Sequence, residues 1–363
     1  MTVDLDEQGR LRAPGGRRTV PGNRIAEHLA EHVRTPERIT DLYVYVHGWQ
    51  TAPAVAQRRA KALLTRTRQL AAAHPDRYPQ LSRGYRPAVV VVRWPSSSLP
   101  SLGGYRRIRD RAHAMSAPGQ GHAPHVLAHL LGYLDAQRPA AGSAPVMTNR
   151  NGQYLHLVGH SFGGRFLCEA VQWAAAPEAP RVLGWSTPTA PGRPFTVDSM
   201  VIFQMAAPRD AFDRLFPALF PSGAQSHAPL RGPLVLTHSR WDRATGFWHL
   251  RAEGSAGIGH SGAGTAPVPQ FHSRLLPLHE PYRLSTLDHR LVNVDASERF
   301  RGSARTRLAP AGAHSDFDHP ESAHLLLSLA ALSRGSTGSQ RPAIPHPAHP
   351  QPTPCRRRPP VDG

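Results

Sequence analysis

Gly159-His160-Ser161-Phe162-Gly163-Gly164 places a serine between glycines two positions before and two after it. The apolar run Tyr154-Leu155-His156-Leu157-Val158 leads directly into it, and a helical stripe of Phe162, Phe166, Ala170 and Trp173 follows. A strand that turns sharply into a helix exposes the residue at the turn above the sheet edge, and small neighbours let the backbone bend without Cβ clashes. A serine there is a candidate nucleophile. Its hydroxyl becomes reactive when a histidine takes the proton, and the histidine needs a carboxylate to fix its tautomer and stabilise the imidazolium. The pattern alone is common by chance, so its strand and helix carry the reading. Gly259-His260-Ser261-Gly262-Ala263 makes the contrast, since it lacks the second flanking glycine and no strand precedes it. Ser261 is therefore assigned to a flexible loop.

The elements that must position these groups alternate. Leu42–Val46, Ala88–Val92, Tyr154–Val158, Met200–Met205, Leu234–Thr237 and Leu291–Val294 read as buried strands. Helical spacing links Ala56, Ala60, Leu63, Leu64 and Leu70, then Val126, Leu127, Leu130, Leu131 and Leu134, and finally Leu325 to Leu332. Continuous Val/Leu strands separated by helical stripes predict an α/β fold, a mostly parallel sheet with helices on both faces. Residues 1–38, with one short helix over Ile25–Val33, read as a peripheral segment, and 39–334 as the main domain. Residues 95–123 and 243–290 break the repeat and read as cap or lid insertions. Residues 335–363, rich in Pro, His and Arg, read as a disordered tail.

This order resembles the α/β-hydrolase superfamily over residues 39 to 334, with Ser161 on the nucleophile elbow and a serine esterase or lipase-like activity implied. In that family an earlier strand ends in His-Gly, here His47-Gly48-Trp49-Gln50, and the resemblance implies an oxyanion hole from the backbone amides of Trp49 and Phe162. It also implies the order Ser, acid, His. Asp242, after the strand Leu234–Thr237, is the matching acid, with Asp210 as the runner-up one strand earlier; otherwise Asp210 caps the helix that follows it. His314 lies between the last strand and the last helix, where the family loop carries its base. His319 competes, but it precedes Pro320 at the start of that helix, where Asp318 and Glu321 resemble a capping box. His160 and Gln50 are read as packing residues.

Composition narrows the alternatives. A chain of 363 residues can form one large α/β domain with insertions. The net charge of +18 comes from 43 Lys+Arg against 25 Asp+Glu, and Lys61 is the only lysine. Arginine, alanine, glycine and proline together mark a GC-rich, bacterial genome rather than a polyanionic partner, and no basic segment is interleaved with stacking aromatics. Cys168 and Cys355 build neither a disulfide framework nor a CxxC motif, so the expected compartment is the cytoplasm. No secretion signal or membrane span is expected. His122, His125 and His129 have near-helical spacing but no completing carboxylate or cysteine, and no glycine-rich phosphate loop occurs; neither metal nor cofactor is expected. The reading is a serine hydrolase acting on a small-molecule or lipid ester, with a catalytically silent scaffold of the same fold as the alternative.

Overall fold

The computed structural model describes residues 1–16, 18–36, 38–81, 84–99, 101–117, 121–136, 153–176, 195–220, 228–304, 306 and 309–335. Eight strands form one sheet: β1 (Thr2–Asp4), β2 (Asp41–Val46), β3 (Pro87–Arg93), β4 (Tyr154–His160), β5 (Ser199–Phe203), β6 (Leu234–His238), β7 (Gln270–Arg274) and β8 (Leu291–Asp295). Their order is β1-β3-β2-β4-β5-β6-β8-β7, and every adjacent pair is parallel. Parallel strands need crossovers that cover the sheet, which is why the strands are apolar on both sides. Among the described residues the helices of eight residues or more are α1 (Ile25–His32), α2 (Pro53–Ala73), α3 (Leu102–Ser116), α4 (Ala123–Ala136), α5 (Phe162–Trp173) and α6 (Pro320–Gly335).

Alternation along each strand sorts the core into two layers. Val44, Val46, Val90, Leu157 and Ile202 point to the face covered by α1, α3, α4 and α5. Tyr43, Tyr45, Val158, Val201 and Phe203 point to the face covered by α2 and α6. Burying a side chain such as Phe166 or Leu157 completely contributes about 2 kcal/mol, so these two layers supply the main driving force for the fold. The fold class is α/β, a parallel sheet with helices on both faces, consistent with the α/β-hydrolase fold, and wholly parallel where the strand pattern predicted mostly parallel.

Four departures from the sequence reading have physical reasons. Residues 1–38 are part of the sheet and core: β1 pairs with β3, and Leu5, Leu11, Ile25, Leu29 and Val33 pack under α4 and the sheet. The strand was too short and too polar to register as a period. β7 lies inside 243–290 and is an edge strand whose residues are largely half-exposed, so its sequence carries no apolar run. The segment 95–123 contains α3, entered through Ser101, whose side chain accepts from the Gly104 amide. Strand β5 ends at Phe203, two residues before the expected Met205, because Gln204 turns the chain with φ of +49°. The expected tail, with Cys355, lies outside the described residues beyond 335. No helix among the described residues is long and apolar enough to cross a membrane.

The topology fixes where a site can form. From β2 the chain moves to β3 on one side, while β4 pairs with β2 on the other. Strand order reverses there, and the crevice beyond the carboxyl ends of β2 and β4 is where ligands bind in open α/β sheets. His47 to Gln50 and Ser161 leave the sheet at that point.

Candidate active site

Ser161 stands between β4 and α5 with φ of +56° and ψ of −125°. That conformation costs a non-glycine residue about 1–3 kcal/mol and persists only where the surroundings hold it. Here the Ser161 amide donates to the Phe203 carbonyl at 3.0 Å, and the Ser161 carbonyl accepts from the Gly164 amide at 3.1 Å. The flanking glycines serve closeness. A Cβ on Gly163 would lie 2.2 Å from the Val46 carbonyl oxygen, and one on Gly48 would lie 2.5 Å from Ser161 Cβ. The strain thus sits on the serine, while the glycines let the first turn of α5 and the end of β2 close around it.

Asp242 follows β6 and His314 lies in the loop ahead of α6. The structure brings them together: His314 Nδ1 donates to Asp242 Oδ2 at 2.8 Å, and both side chains are at most 2% exposed. A carboxylate only accepts, so Nδ1 carries the proton and Nε2 presents its lone pair. Asp242 Oδ1 accepts from the Thr245 amide at 3.0 Å, at the start of a π-helical turn, Ala244–Trp248. The two loops are laid side by side, with the Ala313 amide donating to the Trp241 carbonyl at 3.0 Å. Phe317 stacks on Phe203 with ring centroids 4.8 Å apart and clamps the base loop to the sheet.

The serine and the base are not hydrogen-bonded to each other. Ser161 Oγ and His314 Nε2 are both buried and, among the described residues, without a hydrogen-bond partner. Buried polar atoms are ordinarily paired, and an unpaired one calls for an explanation, of which a catalytic role is one. Phe162 opens α5, so its amide has no carbonyl partner inside its own helix. The Trp49 amide likewise has no acceptor among the described residues. The Trp49 ring is buried; its Nε1 donates to Ser98 Oγ at 2.7 Å, and Tyr105 of α3 packs edge-on against it. Tyr105 also leans on Phe162, so α3 covers this end of the crevice.

Two histidines around this group are held neutral. His160 is fully buried, and desolvation, reinforced by neighbouring His314, pushes its pKa well below the usual histidine range. Its Nε2–H donates to the His314 carbonyl at 2.8 Å, so His160 braces the base loop as well as packing. Burial lowers His47 to about 4. His47 Nδ1 donates to the Gly48 carbonyl, and its Nε2 accepts from the Trp94 amide.

The competitors fall elsewhere. Asp210 is half-exposed, stands before the short helix Ala211–Arg214 without a side-chain cap, and pairs with Arg214 at 3.3 Å. His319 pairs with Asp316 at 3.2 Å, and its carbonyl accepts the Ser322 amide at the start of α6. Ser261 ends a short helix, Ile258–Ser261, rather than a loose loop. Its neighbour Gly259 is pressed on the acid, since a Cβ there would lie 2.8 Å from Asp242 Oδ2. Gln50 has φ of +55°, and its amide donates to the Ser96 carbonyl, so it turns the chain after β2.

Sequence reasoning missed Gln204, whose Nε2 donates to Asp242 Oδ2 at 3.2 Å and to the Ala313 carbonyl at 3.1 Å. The available signal was a lone amide side chain closing an apolar run. No group of three or more His, Cys, Asp or Glu suited to a metal ion occurs among the described residues.

No family model matches the chain, and no curated protein matches it. Among solved structures it is similar to a metagenomic carboxyl esterase at 12% identity, over 90% of this chain and 83% of that one, with a TM-score of 0.30.

Proposed function

We propose that the chain is a serine hydrolase that cleaves a carboxylic ester or a related acyl bond. The observation that carries this reading is the buried Asp242–His314 hydrogen bond, tied through His160 and the His314 carbonyl to the strained serine next in the chain, with His314 Nε2 and Ser161 Oγ both unpaired among the described residues. Ser161 Oγ attacks the acyl carbon while His314 Nε2 takes its proton. The tetrahedral oxyanion is held by the Trp49 and Phe162 amides, which need no reorganisation to receive it. His314 returns the proton to the leaving alcohol, the acyl-enzyme forms, and water activated by the same histidine releases the acid. Asp242 keeps Nδ1 protonated and stabilises the imidazolium.

Ser161 is 1% and His314 2% exposed, so substrate entry requires the covering segments to move. In this reading 95–123 and 243–290 form the cap. Arg109 of α3 donates to the Ala252 carbonyl at 2.7 Å and approaches Glu253 at 3.7 Å, which joins the two segments over the crevice. The serine–base contact is often loose in a free enzyme and tightens with substrate, in keeping with this closed arrangement.

The test is labelling of the purified chain by a fluorophosphonate, wild type against Ser161→Ala, followed by p-nitrophenyl esters of increasing acyl length. Labelling that disappears in the variant is the expected result. A folded wild type that does not label overturns the proposal and leaves the same fold as a silent scaffold.

A further inference from the structure

Gln204 joins parts of the site that come from different strands. It is wholly buried at the end of β5, and its backbone amide donates to the Thr237 carbonyl of β6 at 3.1 Å. Its positive φ of 49° turns the side chain out of the strand's alternation. The two hydrogens of one amide nitrogen then find two acceptors: Asp242 Oδ2 at 3.2 Å, in the loop after β6, and the Ala313 carbonyl at 3.1 Å, in the loop after β8. Both partners only accept, so the NH₂ group must face them and Oε1 must point away, where it has no partner. Asp242 Oδ2 is the same oxygen that receives His314 Nδ1–H, and Ala313 is the residue before His314.

We propose that Gln204 is a positioning residue of the reaction: its side-chain amide holds the Asp242 carboxylate and the His314 loop in one register. This rests on the serine-hydrolase reading. A neutral donor suits the task. A lysine or arginine at this place would neutralise the carboxylate and weaken its support of the imidazolium, whereas an amide orients the oxygen and leaves its charge. The surroundings are closed against compensation, since a Cβ on Gly259 would lie 2.6 Å from the Gln204 carbonyl carbon and 2.8 Å from Asp242 Oδ2.

The experiment compares wild type, Gln204→Leu and Gln204→Glu as full chains. The readouts are fluorophosphonate labelling rate, kcat and KM on p-nitrophenyl acetate across pH, and thermal melting. Gln204→Leu is expected to lower kcat by about ten- to a hundredfold with KM within about twofold, as for a small misplacement of a reacting group. Gln204→Glu sets a second carboxylate beside Asp242, favours the imidazolium and moves the acidic limb of kcat/KM to higher pH. A residue that only supports folding would lower melting and active fraction together and leave the limb in place. If Gln204→Leu does not fold, the limb of Gln204→Glu decides. Unshifted limbs with near-wild-type kcat, in a wild type that labels at Ser161, overturn the Gln204 assignment alone; a wild type that does not label overturns it together with the hydrolase reading.

Discussion

Two buried carboxylate–histidine pairs lie at opposite ends of this sheet. At the amino edge, His156 Nε2 meets Asp41 Oδ1 at 3.1 Å, and His156 Nδ1 meets Ser199 Oγ at 2.8 Å, a complete Asp-His-Ser chain. At the carboxyl edge, His314 Nδ1 meets Asp242 Oδ2 at 2.8 Å, and its other nitrogen has no partner. The better-connected chain is the one whose hydrogen-bonding capacity is already filled. Asp41 is clamped by Arg334 at 3.0 and 2.5 Å, and Ser199 is an ordinary strand residue with no strained turn. Although burial alone would raise the Asp41 pKa, hydrogen bonds from His156 and Arg334 hold it below the usual carboxylate range. Satisfied partners make a structural tie. At the carboxyl edge Ser161 Oγ and His314 Nε2 stay unsatisfied on over-determined backbone, which is what the proposed reaction requires of them.

Substituting the two serines is the sharpest way to break the comparison. Ser161→Ala should abolish fluorophosphonate labelling and lower ester turnover by about 10⁴-fold or more, and Asp242→Asn should cost about as much through the wrong histidine tautomer. Ser199→Ala should leave labelling intact and cost about 1–2 kcal/mol of stability by stranding His156 Nδ1. Labelling lost in Ser199→Ala at unchanged melting temperature would reverse the assignment of the two edges.

Asp41→Asn tests the same contrast through stability. Removing one partner of a buried, paired charge costs about 3–5 kcal/mol, here by taking away the charge that Asp41 presents to Arg334. Urea denaturation should show a loss of that size with ester turnover of the folded fraction unchanged. A variant as stable as wild type would mean that the amino-edge tie is not holding α6 to β2.

Much of the carboxyl edge was legible before any coordinates. Six of the eight strands announced themselves as apolar runs, the end of one of them marks Ser161, and the family resemblance then implied Asp242 and His314 as its partners. What stayed hidden was whatever lacks a period. β1 has three residues, and β7 is an edge strand with polar, half-exposed side chains. Gln204 was absorbed into its strand because one positive φ separates a strand residue from a site residue, and no pattern of types encodes that angle. Gly259 belonged to a rejected motif, and only tertiary packing sets it against Asp242. The Asp41–His156–Ser199 chain was equally invisible, since its members come from positions whose alternation reads as plain strand.

Acidification should strike the two edges in different windows. His47, lowered by burial from 6.5 to about 4, stays neutral in the folded chain while the unfolded chain takes up a proton below 6.5. The unfolded state then binds more protons, so stability falls as pH drops from 6.5 towards 4, by about 1.4 kcal/mol per pH unit for one such group. His47→Gln should flatten that slope relative to wild type in urea midpoints measured across the window. Asp41 acts with the same sign in a lower window: its depressed pKa contributes stability above the unfolded value of 3.8, lost as pH falls through the lower folded value. Arg334→Met should therefore differ from wild type above pH 4 and converge with it below. Parallel curves for His47→Gln and wild type would show that its burial does not exclude the proton.

The smallest expected effect belongs to Asp210, and its smallness is the point. Its carboxylate is half-exposed, its partner Arg214 lies one helical turn away at 3.3 Å, and among the described residues neither has a hydrogen bond or ion pair to His314. Exposed ion pairs of this kind contribute about 0.3–0.5 kcal/mol, so Asp210→Asn should move the melting temperature by little more than a degree. Turnover should stay within twofold of wild type, because the acid that sets the His314 tautomer comes from the loop after β6. Should Asp210→Asn instead lose turnover as Asp242→Asn does, the base would have to swing towards the loop after β5 in the working state, and the buried pair at 2.8 Å would be a resting arrangement only.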